Sequence, residues 1–190
     1  MTGVVASHGK SRNGYLKAGL GGLVTGLLTP AVQPLIDRIN GSPGDLRIVL
    51  LAVPFAILVM ILVRVYSANQ WWAAPLAGMV TLIAFVFAIN AAIWIGSQIS
   101  DSEKVVRNTM SGLAGGFTGS GLMAIGMCLL PAGPRDPLAW VPMLVIGTCA
   151  GALLAVDNAL SLDLVSVLYP VWQAGVAICL LMALQHPQTS

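Results

Sequence analysis

Two carboxylates and an amide sit close together in the stretch VDNALSLD, as Asp157, Asn158 and Asp163. Their oxygens suit a hard cation, and no basic residue follows Arg135 to offset them. The same residue types also cap helix ends. The stretch therefore reads as a cation-attracting mouth or, more simply, as a capped loop between two helices.

Polar side chains inside apolar stretches are the next candidates. Each is costly in hydrocarbon and marks a functional position unless a neighbouring helix bonds it. Thr25, Asn90, Thr118 and Gln173 are such residues, and they are the expected lining of a path for a solute or ion.

Catalysis has little to work with. In TGSG, Thr118 stands where a GxSG nucleophile motif needs its first glycine, and the only histidines, His8 and His186, lie near the termini. A buried serine without a base is not activated, and no HExxH motif is present. Cys128, Cys149 and Cys179 lie in apolar stretches without a CxxC spacing, as small core residues do. The expectation is a protein that is not an enzyme and that holds no metal or cofactor.

The elements that carry these residues follow from composition. Hydrophobic residues make up 57% of the 190 and charged residues 8%, against roughly 25% charged in a soluble domain. So few charges cannot cover a water-soluble globule. The net charge of +2 is too small to suggest a nucleic-acid partner. The partner implied is the lipid bilayer.

Six apolar segments are legible, and four reach the roughly 20 apolar residues of a membrane span: about 47–65, 71–99, 138–156 and 164–184. The other two, about 18–36 and 110–130, are rich in Gly, Thr and Ser. These two share a phrase, GLGGLVTG at Gly19–Gly26 and GLAGGFTG at Gly112–Gly119. The predicted fold is an all-α polytopic membrane protein of six segments in two pseudo-repeats, about 18–99 and 110–185. Each repeat is a Gly-rich helix followed by two strong spans. Residues 1–17 read as a polar, basic, retained tail and 186–190 as a short C-terminal tail.

Glycines four apart share a helix face, and in lipid such small-residue faces let helices approach closely. Gly22 and Gly26, Gly115 and Gly119, and Gly147 and Gly151 are the expected packing positions. With six spans and the N-terminus inside, Lys10, Arg12, Lys17, Arg64 and Arg135 lie inside, and Arg38, Arg47, Lys104 and Arg107 outside. That is almost no positive-inside bias. If both Gly-rich segments instead dipped in and returned, only Arg64 would lie outside. Six spans remain the leading expectation, and three per repeat makes the halves inverted.

The functional expectation is a small transport protein, channel or carrier, with its path at the interface of the Gly-rich segments. It would sit in a cell membrane, of the bacterial inner-membrane type, with a cytoplasmic N-terminus. The competing expectation is a non-catalytic scaffold or sensor subunit that forms a homo-oligomer or holds a soluble protein partner.

Overall fold

The computed structural model describes residues 3–40, 45–162 and 165–185. Among the described residues every regular element is helical: α1 (Gly3–Ala31), α2 (Gln33–Asn40), α3 (Asp45–Tyr66), α4 (Ala73–Gln98), α5 (Lys104–Cys128), α6 (Val141–Gly151), α7 (Leu154–Ala159) and α8 (Leu168–Leu184). A short 3-10 turn, Pro137–Trp140, leads into α6. Three stretches are long and apolar enough to cross a membrane, Arg47–Tyr66, Ala73–Gln98 and Pro137–Ala159, and α8 is a shorter apolar helix. The outward side chains of α4 include Leu76, Met79, Ile83 and Phe87, all exposed. Such a surface suits hydrocarbon rather than water, so the chain is that of a membrane protein.

Helix boundaries depart from the sequence reading in three places. The polar N-terminal stretch read as a tail is helical from Gly3 and continues into α1. The segment around 138–156 holds as one apolar stretch, Pro137–Ala159, and differs only in a tightened turn at Ala152 and Leu153 between α6 and α7. The first Gly-rich segment is divided at Val32, where Pro30 and Pro34 each lack the N–H that would carry one helix through.

Glycines set which helices touch. A Cβ at Gly22 would run into the Ala174 backbone, and one at Gly26 into Pro170. The pairing runs in opposite senses along the two helices, so α1 lies antiparallel on α8. A Cβ at Gly115 would come 2.9 Å from Ala88 O, and one at Gly119 3.0 Å from Ala88 Cβ. One at Gly126 would strike the Val80 side chain. Thus α5 lies antiparallel along α4.

A second small face of α5 meets α6. Cβ atoms at Gly112 and Gly116 would run into the carbonyls of Gly151 and Gly147. Ser120 continues that face one turn on, where a Cβ at Gly147 would come 2.6 Å from its Cβ. Around these contacts the core is filled by Phe55, Val59, Met123, Met127, Met143 and Leu180, all fully buried. Phe55 meets the Trp172 ring edge-on at 5.7 Å.

Candidate functional site

The first consequence concerns the two Gly-rich helices themselves. Both repeated phrases lie inside unbroken helix, α1 and α5, so their carbonyls are committed to helical bonds. The two helices also form no substantial interface: α1 packs on α8 and α3, whereas α5 packs on α4, α6 and α7. A path running between the Gly-rich segments is therefore corrected. Small residues let each of them press against a different neighbour, which keeps them apart.

The four expected lining residues are not brought together. Thr25 Oγ1 is turned back on its own helix, donating to Gly21 O at 3.0 Å and within reach of Gly22 O at 3.2 Å. Thr118 is half-buried on α5. Asn90 is exposed on the outside of α4, its Nδ2 donating to Val86 O at 2.9 Å. Gln173 is fully buried on α8, with Nε2 donating to Thr29 Oγ1 of α1 at 2.9 Å. Its Oε1 has no partner.

Asp157 is held by the start of α8. Its carboxylate accepts from Ser166 Oγ at 2.5 Å, from Val167 N at 2.9 Å and from Leu168 N at 3.3 Å. Backbone donors at a helix N-terminus have no partners within the helix and favour an anion, so the charge is satisfied there. Ser166 Oγ in turn accepts from Tyr169 N at 3.2 Å. Asn158 is exposed, with Nδ2 donating to Leu154 O at 2.8 Å. Asp163 lies outside the described residues. Asp157 thus does the capping job, with three donors already on its carboxylate.

Ser120, the serine of TGSG, is fully buried and donates to Gly116 O at 2.6 Å. Its hydroxyl is a packing wedge against Gly147. The cysteines are free thiols. Among the described residues no three His, Cys, Asp or Glu side chains converge as a metal site would require.

Two cavities adjoin in this part of the bundle. The first, about 270 Å³, lies between α4, α5 and α8, with Phe85, Ile89, Gly115, Gly116 and Trp172 in its walls. The second, about 330 Å³, opens between Pro30 and Gln33 on one side and Asp157, Asn158 and Ser166 on the other. Leu154, Leu168 and Tyr169 belong to both walls. They form a thin partition between an apolar chamber and a polar one. Tyr169 is stacked on Phe85 with ring centres 6.0 Å apart, which ties that partition to α4.

Trp172 and Tyr169 are the residues that sequence reasoning passed over. Aromatic side chains at helical spacing ordinarily fill a core, and nothing local sets these apart. Of the glycines in the chamber wall, Gly115 and Gly151 were legible as packing residues and Gly116 was not, and none was legible as a place where side chains fail to meet. No protein-family model matches the chain, and neither a curated protein nor a solved structure is detectably similar to it.

Proposed function

We propose that the protein is a small membrane transport protein of the carrier type, whose path joins the polar chamber beside Asp157 to the apolar chamber beside Trp172. The observation that carries this reading is the shared partition of Leu154, Leu168 and Tyr169. Two unlike cavities meeting at three side chains need only a small movement to become continuous. Beside Leu154, Ala152 and Leu153 are held by tightened i→i+3 bonds to Cys149 O and Ala150 O, the kind of stretch that often marks a hinge.

The carrier type would take six spans in two inverted triples, and the helix pairing is consistent with that layout. α5 follows α4 from Gly96, where a Cβ would meet Ser111 Oγ at 2.8 Å, to Val80 beside Gly126. That is about 24 Å at 1.5 Å per residue, against roughly 30 Å for a bilayer core, which supports α5 as a further span beside α4. α1 follows α8 in the same way, from Gly14 beside Leu181 to Gly26 beside Pro170. The matched glycines Gly22 and Gly115, and Gly26 and Gly119, each press their helix onto the last helix of the opposite triple. Such an exchange between halves suits a path at their junction.

A homo-oligomer is proposed on a separate observation. Asn90 presents an amide on an otherwise apolar outer face of α4, and in hydrocarbon such a group favours a partner helix. Transport is tested with the purified full chain in liposomes, by following entry of a panel of uncharged solutes. Entry faster than into protein-free liposomes for some members supports the reading, and equal entry for all of them refutes it.

A further inference from the structure

The two chambers differ in lining but share one end of the bundle. Ser111 of α5 lies beside Gly96 of α4, and Gly126 beside Val80, while Gly112 and Gly116 lie beside Gly151 and Gly147 of α6. α5 is therefore antiparallel to both neighbours, and the end of α4, the start of α5 and the turn after α7 lie together. The polar chamber sits at that end, with exposed Asn158 and Ser161 in its wall. The apolar chamber reaches the surface at Ile93, which is 63% exposed, and extends along α4 to buried Phe85. The eight residues between them make that run about 12 Å.

The polar chamber holds uncharged groups with bonding capacity to spare. Asn158 spends its Nδ2 on Leu154 O, which leaves its Oδ1 to accept at an exposed position. Gln33, Ser161 and Tyr169 also line this chamber, and their side chains form no hydrogen bond among the described residues. Ser161 is exposed. The unpaired polar atoms that are fully enclosed belong to Trp172 and Gln173 among the described residues, so those of Gln33 and Tyr169 are accessible. Asp157 is the one charged side chain among the described lining residues, and three donors around the start of α8 already meet it. No Lys, Arg or His stands among them to receive an anion.

The apolar chamber offers the opposite surface, with Phe85, Ile89, Ile93 and Leu168 beside glycines. A small polar solute would leave that surface wet, at about 25 cal/mol for each Å². A pure hydrocarbon would leave the polar groups next door unused. From the adjoining linings we infer that the two chambers together bind a single-chain amphiphile. Its uncharged, hydroxyl-rich head occupies the polar chamber, and its hydrocarbon chain lies over Leu154, Leu168 and Tyr169 and along the apolar chamber. A 150 Å³ apolar cavity accepts six-carbon benzene, so a chamber of about 270 Å³ takes a chain of roughly eight to ten carbons. This names the substrate class of the proposed carrier and rests on that reading for its role in transport, but the binding itself does not require transport.

The test uses the full chain in lipid nanodiscs and an octyl glucoside whose chain ends in a photoreactive diazirine, with crosslinked residues read by mass spectrometry. The inference expects saturable labelling within Phe85–Ile93 and Leu168–Trp172. Unlabelled octyl glucoside should compete on the order of tenfold better than octyl sulfate or octyltrimethylammonium, the worth of one or two hydrogen bonds to an uncharged head. Ile89→Trp fills the apolar chamber and should abolish the saturable labelling, whereas Ile83→Trp on the exposed outer face should leave it. Asn158→Ala combined with Ser161→Gly, both at exposed positions, should narrow the preference for the glucoside and serves if Ile89→Trp fails to fold. Labelling that does not saturate, equal competition by the three heads, or stronger competition by a charged one would overturn the inference. So would a preference that the double variant leaves unchanged. Saturable labelling without solute entry into liposomes would refute the carrier reading alone. Solute entry without saturable labelling at these positions would refute this inference alone.

Discussion

Gln173 Nε2 donates to Thr29 Oγ1 at 2.9 Å, a bond between two fully buried side chains 144 residues apart. It fastens the first long helix to the last, and both residues sit where no water can replace the lost partner. Thr29 Oγ1 is itself committed to Thr25 O at 3.0 Å, which aims its lone pair at α8.

Thr29→Val keeps the shape and leaves the Gln173 amide unpaired. We expect it to destabilise the protein by about 1–2 kcal/mol. Gln173→Leu should cost less, because it removes the polar group together with the bond. In the double variant the two effects should fall short of their sum by about 1 kcal/mol, within the range for bonds between membrane helices. Reversible unfolding in mixed micelles measures all three.

Gly116 and Gly147 offer a sharper contrast. A Cβ at either meets backbone or the Ser120 side chain, whereas at Gly121 it meets only Leu144 Cδ2 at 3.6 Å, an ordinary contact. Gly116→Ala and Gly147→Ala should each cost about 2 kcal/mol or more by forcing α5 and α6 apart. Gly121→Ala should be neutral or slightly stabilising, since alanine favours helix. Thermal aggregation midpoints in detergent distinguish these outcomes.

The end of α7 carries a strained residue. Ser161 has φ of 50°, and Leu162 N donates to Asp157 O at 3.0 Å, the wrap-around bond of a helix that stops on a left-handed residue. Ser161→Gly should stabilise this end by roughly 0.5–1 kcal/mol. Asp157→Ala should cost about 1–2 kcal/mol through the lost cap of α8, and Asp157→Asn should recover part of it. Both are measured against wild type by chemical unfolding.

The six crossings of the proposed carrier can be tested directly. If α1, α3 and α4 each cross, single cysteines at Ser11 and Ser102, with the native thiols removed, should label from opposite faces of the membrane. Labelling from one face would mean that α1 does not cross.

Much of the helical layout was legible because hydrophobic runs and prolines act locally. That this loop would cap helix ends was legible from its residue types, but that Asp157 reaches the start of α8 was not, since its partners Ser166, Val167 and Leu168 lie nine to eleven residues on. What each glycine touches was not. Gly115 and Gly116 are adjacent in sequence yet serve different helices, and the spacing of GLAGGFTG cannot say which face meets α4 and which meets α6. The chambers were hidden more deeply. They exist where side chains of α4, α5 and α8 fail to fill the space between them, and a shortage of atoms leaves no mark on the sequence. Asn90, Thr25 and Gln173 are all polar, as a lining would be. Their placement on an outer face, a helix's own carbonyls and the α1–α8 seam is decided by tertiary packing.

The most direct test is whether solute passes through the apolar chamber at all. Ile89→Trp fills it, while Ile83→Trp adds the same bulk on the exposed outer face of the same helix. Solute entry into liposomes should fall at least tenfold with the first and stay within twofold of wild type with the second. Equal entry through both variants would contradict a path through this chamber.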